Sequence, residues 1–439
     1  MQKYSQPLQN SGSVSIFSAE SLLGLLYMLP VLNGYLSEVL VLWERQTLTD
    51  YVYIFTFFLS GLTIVLALIR KPATSLFTIL LLLFAPAVSF LAKPEIYRYT
   101  VSRYAISLRI FAQNEFFTLL ALCLPLLLLC QQRIDTAKLY RVFRNHSILI
   151  VSMFVAVMVL HIFFYNTKLN YMSVAYNAMF SILFLYYDAR ERKNRLSGLL
   201  WLAAAVGILV GGCRGAALLL VSVVALWELR RLFPLTGMKF LGLLLVFVLA
   251  VILIINFRQI LSAVDSLFSN LGYSSRLLEK YFGRAKDGDL FHMDDRNKIY
   301  STIAVNITAF GRGVFSDRLV LRGSYSHNMI LEILYQFGWV IGVPLLFGLA
   351  AFVLTALKRS RRRESKGSFL HFAVFSFGIY LCTKMMVSAS YLTDRTFWLY
   401  LGLCLIAFRQ PRPTFERSSC NYEANPQVPD LPDPQAAVP

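Results

Sequence analysis

One arginine of the chain lies between long apolar runs, in the segment GGCRGAALLL that contains Arg214. Placing a guanidinium inside a membrane commonly costs about 2.5–3.5 kcal/mol on insertion scales, so such a residue is usually retained for a function. The glycines beside it, Gly211, Gly212 and Gly215, allow the backbone to bend and a ligand to come close. The alternative is an arginine that extends to the membrane surface and is held there by topology alone. We favour an anion-binding role for Arg214.

A second set of polar residues lies in SYSHNMILEILYQFGWVIG, residues 324–342. Helical spacing places Asn328, Glu332 and Tyr335 in one polar stripe, beside the face that carries His327. Histidine suits proton transfer near neutral pH because its unperturbed pKa is about 6.5. The segment therefore contains the groups that orient or deprotonate a hydroxyl. A histidine that caps or packs a helix fits the same pattern.

Basic residues and glycines also mark the polar stretch before this segment, DDRNKIYSTIAVNITAFGRGVFSDRL. Arg296 follows two aspartates there. The Gly-Arg-Gly formed by Gly311, Arg312 and Gly313 predicts a turn that presents backbone amides to an anion. Lys384 lies near one end of another apolar run, where it either extends to the surface or helps to neutralise the same anion. Solvated loop arginines are the plain alternative.

Apolar residues dominate the chain that must position these groups. Of its 439 residues, 57% are hydrophobic and 15% are charged. A soluble domain carries about 25% charged residues, so this composition nearly excludes a water-soluble globular enzyme. One helix needs about 20 apolar residues to span a bilayer. We predict an all-α, polytopic helical membrane protein with about 12 transmembrane helices, at 20–42, 50–69, 75–92, 110–130, 148–165, 170–187, 196–212, 215–229, 240–257, 338–357, 369–387 and 395–408.

The charge of the chain is distributed unevenly between the predicted connections. There are 42 lysines and arginines against 24 aspartates and glutamates, and the basic residues gather on alternate loops. The positive-inside bias then places both termini in the cytoplasm. Because topology accounts for the net charge of +18, nucleic acid is not an expected partner. The cysteines lack metal-like spacing, and we expect no metal, no organic cofactor and no removable signal peptide.

The order of these segments resembles the bacterial O-antigen polymerase and O-antigen ligase superfamily. The resemblance rests on C-R-G-A, on D-R-N-K-I-Y and F-G-R-G in the long loop, and on S-H-N-M-I-L-E-I-L-Y-Q-F-G-W-V-I-G at its end. It covers 211–342 closely, and the rest of the chain by helix count and orientation only. Cys213 stands where the family more often has serine, a departure that keeps a small side chain.

The predicted spans divide the chain into four parts, and the resemblance implies that the active site lies on the periplasmic side of the bacterial inner membrane. Transmembrane helices 1–9 would occupy 1–257, and one large periplasmic loop with a re-entry helix would occupy 258–337. Helices 10–12 would follow at 338–409, and 410–439 would form a disordered cytoplasmic tail. A loop of that length is usually functional when the other loops are short.

The same resemblance implies a metal-independent glycosyltransferase whose donor is a glycan on undecaprenyl diphosphate. By matching motifs, Arg214 and Arg296 would clasp the diphosphate. Guanidinium groups suit this leaving group because they stay charged and bind phosphate through two hydrogen bonds. His327 would orient or deprotonate the attacking sugar hydroxyl, with Asn328 or Glu332 fixing its ring. Direct attack predicts inversion at the anomeric carbon.

The acceptor distinguishes the two main activities of this superfamily. A polymerase transfers the glycan to another lipid-linked repeat unit, whereas a ligase transfers it to lipid A-core. We favour the polymerase because LNYMSVAYNAMFS, residues 169–181, resembles a stretch of many such polymerases. In it Asn170, Ser173 and Asn177 form a polar stripe consistent with a glycan or lipid path, although small polar residues also join helices to one another in membranes.

Several alternatives stay open from the sequence alone. They are an O-antigen ligase, a capsule or exopolysaccharide polymerase, a protein O-glycosyltransferase, a transporter or flippase for lipid-linked sugars, and a non-catalytic scaffold. A transporter predicts broken helices in two corresponding halves, whereas here the polar groups gather at one face. The resemblance implies the lipid bilayer, a flippase and a chain-length regulator as partners.

Overall fold

The computed structural model of the protein describes residues 18–40, 47–100, 114–164, 171–211, 213–232, 294–363 and 368–409, with the isolated positions 266 and 270. Within these ranges every regular element is helical, which confirms the predicted all-α class. Six helices are long and apolar enough to cross a membrane, namely Ala19–Val39, Leu48–Arg70, Pro72–Ala92, Thr136–Leu160, Met329–Arg361 and Phe369–Val387. They are compatible with a membrane protein, and the larger number of spans stays a prediction.

The helices before the long loop are α1 (Ala19–Leu40), α2 (Thr47–Arg70), α3 (Pro72–Ala92), α4 (Tyr97–Thr100), α5 (Glu115–Cys130), α6 (Thr136–Phe164), α7 (Tyr171–Arg192), α8 (Arg195–Gly211) and α9 (Arg214–Leu232). From residue 294 onwards the helices are α10 (Asp294–Ala304), α11 (Asp317–Val320), α12 (Met329–Arg363), α13 (Phe369–Cys382), α14 (Lys384–Val387) and α15 (Arg395–Arg409).

Most predicted spans in the described ranges have a helix at their position. The sequence predicts a separate re-entry helix followed by a tenth span from 338, and α12 (Met329–Arg363) is interrupted at Gly338, which is that boundary. Helix α8 ends at Gly211 and α9 begins at Arg214. The ninth predicted span, at 240–257, lies outside the described residues. So do the long loop up to 293 and the tail at 410–439.

A proline shapes α5. Pro125 has no amide hydrogen, so the carbonyl of Ala121 lacks its usual α-helical donor. The helix widens to a π turn over Leu119–Cys123, and Ser60 Oγ on α2 donates a hydrogen bond to the Ala121 carbonyl oxygen at 2.5 Å. The Ser60 hydroxyl thus compensates for the proline and joins α2 to α5.

Helix α7 lies at the centre of the described fold. It contacts α1, α6, α8, α9 and α13, and its residues from 174 to 188 are buried except for the half-buried Asn177. By contrast, α2 and α3 expose large apolar side chains such as Phe58 (66% exposed), Phe84 (69%) and Leu91 (85%). Such continuous apolar faces suit lipid rather than water, so α7 forms the interior while α2 and α3 form the periphery.

A break in α12 receives the Gly-Arg-Gly turn. Gly338 has φ 71° and ψ 175°, which interrupts the helix, and a Cβ atom there would collide with the Ala309 carbonyl oxygen. A Cβ at Gly311 would likewise collide with the carbonyl oxygen of Gln336. Four backbone hydrogen bonds join the two segments: Arg312 N to Tyr335 O (3.0 Å), Gly313 N to Gln336 O (2.9 Å), Trp339 N to Thr308 O (3.3 Å) and Val340 N to Ala309 O (3.0 Å).

These bonds correct the predicted role of Gly311, Arg312 and Gly313. The turn was expected to present its amides to an anion. The amides of Arg312 and Gly313 instead donate to carbonyls that the break in α12 leaves without helical donors. The glycines are therefore needed for close packing of two backbone segments.

We predict that Gly338→Ala lowers the free energy of unfolding by more than about 1 kcal/mol, because alanine is strained at positive φ and its Cβ has no space there. Gly348→Ala is the matched control, since nothing lies within 4 Å of a Cβ at that position of the same helix. It should stabilise by about 0.5–1 kcal/mol. Equilibrium unfolding in detergent micelles measures both. Equal effects of the two substitutions would contradict the packing role of Gly338.

Candidate functional site

A polar cavity of about 410 Å³ lies where α7, α10, α14, α15 and the segments before α12 and α15 meet. Its described lining includes three basic side chains, Arg296, Lys384 and Arg395, and one carboxylate, Asp394. His327 and several hydroxyl, amide and aromatic groups complete it. A cavity with convergent polar and charged groups is the default candidate for a binding site.

Two of the three predicted catalytic residues meet in this cavity. Arg296 enters from α10, and His327 enters from the connection that leads into α12. The His327 ring lies against the Tyr325 ring, with 4.1 Å between centroids. The backbone of His327 is left-handed, with φ 55°. A non-glycine residue in this conformation costs of order 1–3 kcal/mol, and such residues cluster at functional sites.

The surroundings of His327 change its acid–base properties. Burial lowers the pKa of the ring, and the positive charges of Arg296 and Arg318 lower it further, to about 4. An unperturbed histidine titrates near 6.5. At neutral pH the ring is therefore uncharged and has a lone pair free to accept a hydrogen bond from a hydroxyl.

The third predicted catalytic residue, Arg214, is the first residue of α9. Its side chain lies outside the described part of the chain, and so does the whole of Asn170. The next residue, Gly215, is so close to Tyr176 that a Cβ there would collide with the phenol oxygen. Because Tyr176 lines the cavity, the beginning of α9 lies directly behind its wall.

Lys384 also lines the cavity, but its charge is already balanced. The buried ammonium group lies 2.5 Å from Asp394 Oδ2 and donates to Tyr380 Oη at 3.0 Å. Asp394 Oδ1 accepts from the same phenol (2.7 Å) and from the Phe397 amide (3.1 Å), so it also caps α15. Burial raises the pKa of Asp394, but Lys384 and these hydrogen bonds lower it more, so the net pKa is below the ordinary value.

Behind the cavity lies a buried ionic cluster around Arg318. Its guanidinium contacts three carboxylates: Glu115 Oε2 at 2.5 Å, Asp317 Oδ2 at 2.5 Å and Glu332 Oε1 at 2.7 Å. It also donates to Ser390 Oγ at 2.9 Å, and this hydroxyl donates to Glu332 Oε1 at 2.6 Å. Ser390 lines the cavity, so the cluster positions part of the wall.

Other predicted substrate-binding residues have their described hydrogen bonds away from the His327 ring. Glu332 belongs to the Arg318 cluster. Asn328 caps α12, since its Oδ1 accepts from Leu331 N at 3.1 Å, and its Nδ2 donates to the Met386 carbonyl of α14 at 3.2 Å. The expected fixing of the His327 ring by Asn328 or Glu332 is therefore not what these contacts provide.

Tyr335 and Arg312 act in the packing of the Gly-Arg-Gly turn. The Arg312 guanidinium lies 5.8 Å from the Tyr335 ring, and its Nε donates to the Asn306 carbonyl at 2.9 Å. Neither residue belongs to the described lining of the cavity. The Arg312 side chain therefore contacts its own loop and the Tyr335 ring of α12.

Sequence reasoning missed two arginines of this region. Arg318 follows Asp317 in an ordinary polar loop, and no local pattern distinguishes it from a solvated arginine. Arg395 ends the polar run SASYLTDR between two apolar helices, which has the composition of a plain connector. The high proportion of serine, threonine and tyrosine in that connector was the one sequence feature that could have indicated a polar site there.

No protein-family model, curated protein or solved structure matches the chain. In the described ranges, no group of three or more histidine, cysteine, aspartate or glutamate side chains is placed to hold a metal ion. The site therefore has to be interpreted from its own geometry. It is a polar, arginine-containing cavity among helices of which several are apolar enough to span a membrane.

We predict that Arg318→Gln lowers the free energy of unfolding by about 3–5 kcal/mol, because it leaves buried carboxylates without their counter-charge. Arg322→Gln is the control, since this arginine lies four residues further along, just after α11, and is exposed. Its effect should stay within about 0.5 kcal/mol. Denaturant unfolding in detergent measures the difference, and a tolerated Arg318→Gln would show that the cluster does not hold the fold together.

Proposed function

We propose that the protein is an inverting, metal-independent glycosyltransferase that polymerises O-antigen or a related surface polysaccharide. It transfers a glycan from undecaprenyl diphosphate to a sugar hydroxyl of another lipid-linked repeat unit, at the periplasmic face of the inner membrane. The observation that carries this proposal is the meeting of Arg296 and His327 in one polar cavity. They come from separate segments of the sequence, and both belong to the motifs on which the family resemblance rests.

The proposed reaction needs two groups at this place. The hydroxyl oxygen of the acceptor attacks the anomeric carbon as the bond from that carbon to the diphosphate oxygen breaks. Arg296 stabilises the negative charge that develops on the leaving diphosphate, with Arg214 as its proposed partner. His327 accepts the hydroxyl proton. Because its pKa is about 4, the ring is ready as an acceptor at neutral pH, but it takes up the proton only as the new bond forms.

The remaining lining supports a glycan as ligand. Tyr325 and Tyr176 offer aromatic surfaces for the apolar faces of sugar rings, and Ser173 and Asn177 of α7 offer hydrogen-bonding groups. The latter two belong to the polar stripe that favours a polymerase over a ligase. We also propose, from the family resemblance, that the protein acts together with a flippase and a chain-length regulator.

We expect Arg296→Gln and His327→Asn each to reduce glycan transfer by at least about a hundredfold, with expression and folding intact. Arg322→Gln should keep full activity. The measurement is polymer formation from a purified lipid-linked repeat unit in proteoliposomes. Full activity of either variant would remove that residue from the mechanism.

Deletion of the gene separates the polymerase from its alternatives. A lipopolysaccharide ladder that collapses to core with one repeat unit supports the polymerase. Bare core with long glycan accumulating on undecaprenyl diphosphate indicates the ligase. An unchanged ladder would exclude O-antigen as the polymer, for polymerase and ligase alike, and would point to another surface polysaccharide or to transport.

The pKa of His327 predicts the pH dependence of transfer. With a pKa of about 4, the ring stays neutral across the physiological range. The transfer rate should then be flat between about pH 6 and about pH 8 and should fall only on further acidification. A rate that rises with an apparent pKa near 6.5, the ordinary value of histidine, would contradict the effect of burial and of Arg296 on this ring.

A further inference from the structure

Arg395 lines the cavity without a described carboxylate partner. The carboxylate nearest to it in sequence, Asp394, is occupied by Lys384, Tyr380 and the amide of Phe397. The described hydrogen bond of Arg395 is to a neutral group, since Nη2 donates to Asn177 Oδ1 at 3.3 Å. Its positive charge is therefore not balanced within the described part of the site.

The position of Arg395 in its helix makes this charge more unfavourable. Arg395 is the first residue of α15, a helix of 15 residues. The N-terminal end of a helix carries a partial positive charge, which favours anions and disfavours cations. An arginine at this end that also faces a cavity is a favourable place for an anion to bind. The cavity offers space for one.

Arg395 and Arg296 reach the cavity from different helices. Arg296 lies on α10, where its charge acts on the His327 ring. Arg395 begins α15 and donates a hydrogen bond to Asn177 of α7. The described hydrogen bond of Arg395 is therefore to α7 and not to the histidine.

We infer that Arg395, oriented by Asn177, forms a second oxyanion site, and that its ligand is the carboxylate of an acidic sugar in the glycan. The hydroxyl groups of Thr393 and Thr396 and the Asn177 amide share this part of the lining, and such groups suit a saccharide. The leaving diphosphate belongs at Arg296, beside His327. The assignment of the sugar carboxylate to Arg395 and of the diphosphate to Arg296 rests on the proposed function, whereas the presence of an anion site at Arg395 does not.

Binding to the full-length protein in nanodiscs tests the inference without glycosyl transfer. Isothermal titration would compare sodium glucuronate, its uncharged counterpart glucose, and inorganic pyrophosphate. We expect Arg395→Gln to weaken glucuronate binding by about tenfold or more and to change pyrophosphate binding by less than about twofold. Arg395→Lys keeps the charge but loses the planar fork, so it should recover part of the glucuronate affinity. Arg322→Gln should bind both anions like the wild type.

Each outcome tests either the acidic-sugar site at Arg395 or the diphosphate site at Arg296. Glucuronate that binds no better than glucose to the wild type, or equally well to Arg395→Gln, overturns the acidic-sugar site. Loss of pyrophosphate binding alone in Arg395→Gln also overturns it and assigns Arg395 to the diphosphate. Unchanged pyrophosphate binding in Arg296→Gln contradicts the proposed diphosphate site and leaves the test of Arg395 unaffected. Melting temperatures identify a variant that fails through misfolding, and Arg395→Lys then decides.

Discussion

A guanidinium removed from water must be surrounded by counter-charges and hydrogen-bond acceptors, and Arg318 is fully buried. Its partners come from α5, from its own short helix, from α12 and from the segment before α15. The ionic cluster therefore connects parts of the chain that apolar packing alone would leave free to slide. Because Ser390 belongs to both the cluster and the cavity lining, the position of that wall depends on this buried charge.

The break in α12 supplies a second constraint on the same region. A helix that stops and restarts leaves backbone groups without partners, and here the Gly-Arg-Gly turn provides them. The part of α12 before Gly338 begins directly after His327, and its cap, Asn328, is tied to α14. The glycines therefore act at a distance from the cavity, by fixing the short helical segment from which the histidine extends.

The sequence predicted the helical class and most described helix positions, because both follow from apolar periodicity. The meeting of Arg296 with His327 was implied only by the family resemblance, since the two residues lie in separate segments of the chain. The sequence did not predict that Lys384 would be neutralised by Asp394, that Glu332 would join Arg318, or that Gly311 and Gly313 would serve packing. Each of these depends on pairing between segments far apart in sequence, and local pattern contains no information about which polar group becomes the partner of another.

The central position of α7 has a consequence for biogenesis. The apolar stretch of α7 is interrupted by Asn177 and followed by Asp188, Arg190 and Arg192. The helix is not among the six whose length and composition suit a membrane span. Partition of such a segment into lipid alone is unfavourable. It has to enter the bilayer beside α6 and α8, which cover it in the finished fold. The wall of the cavity that α7 supplies is thus completed only after its neighbours are inserted, so the protein acquires its binding site late in assembly.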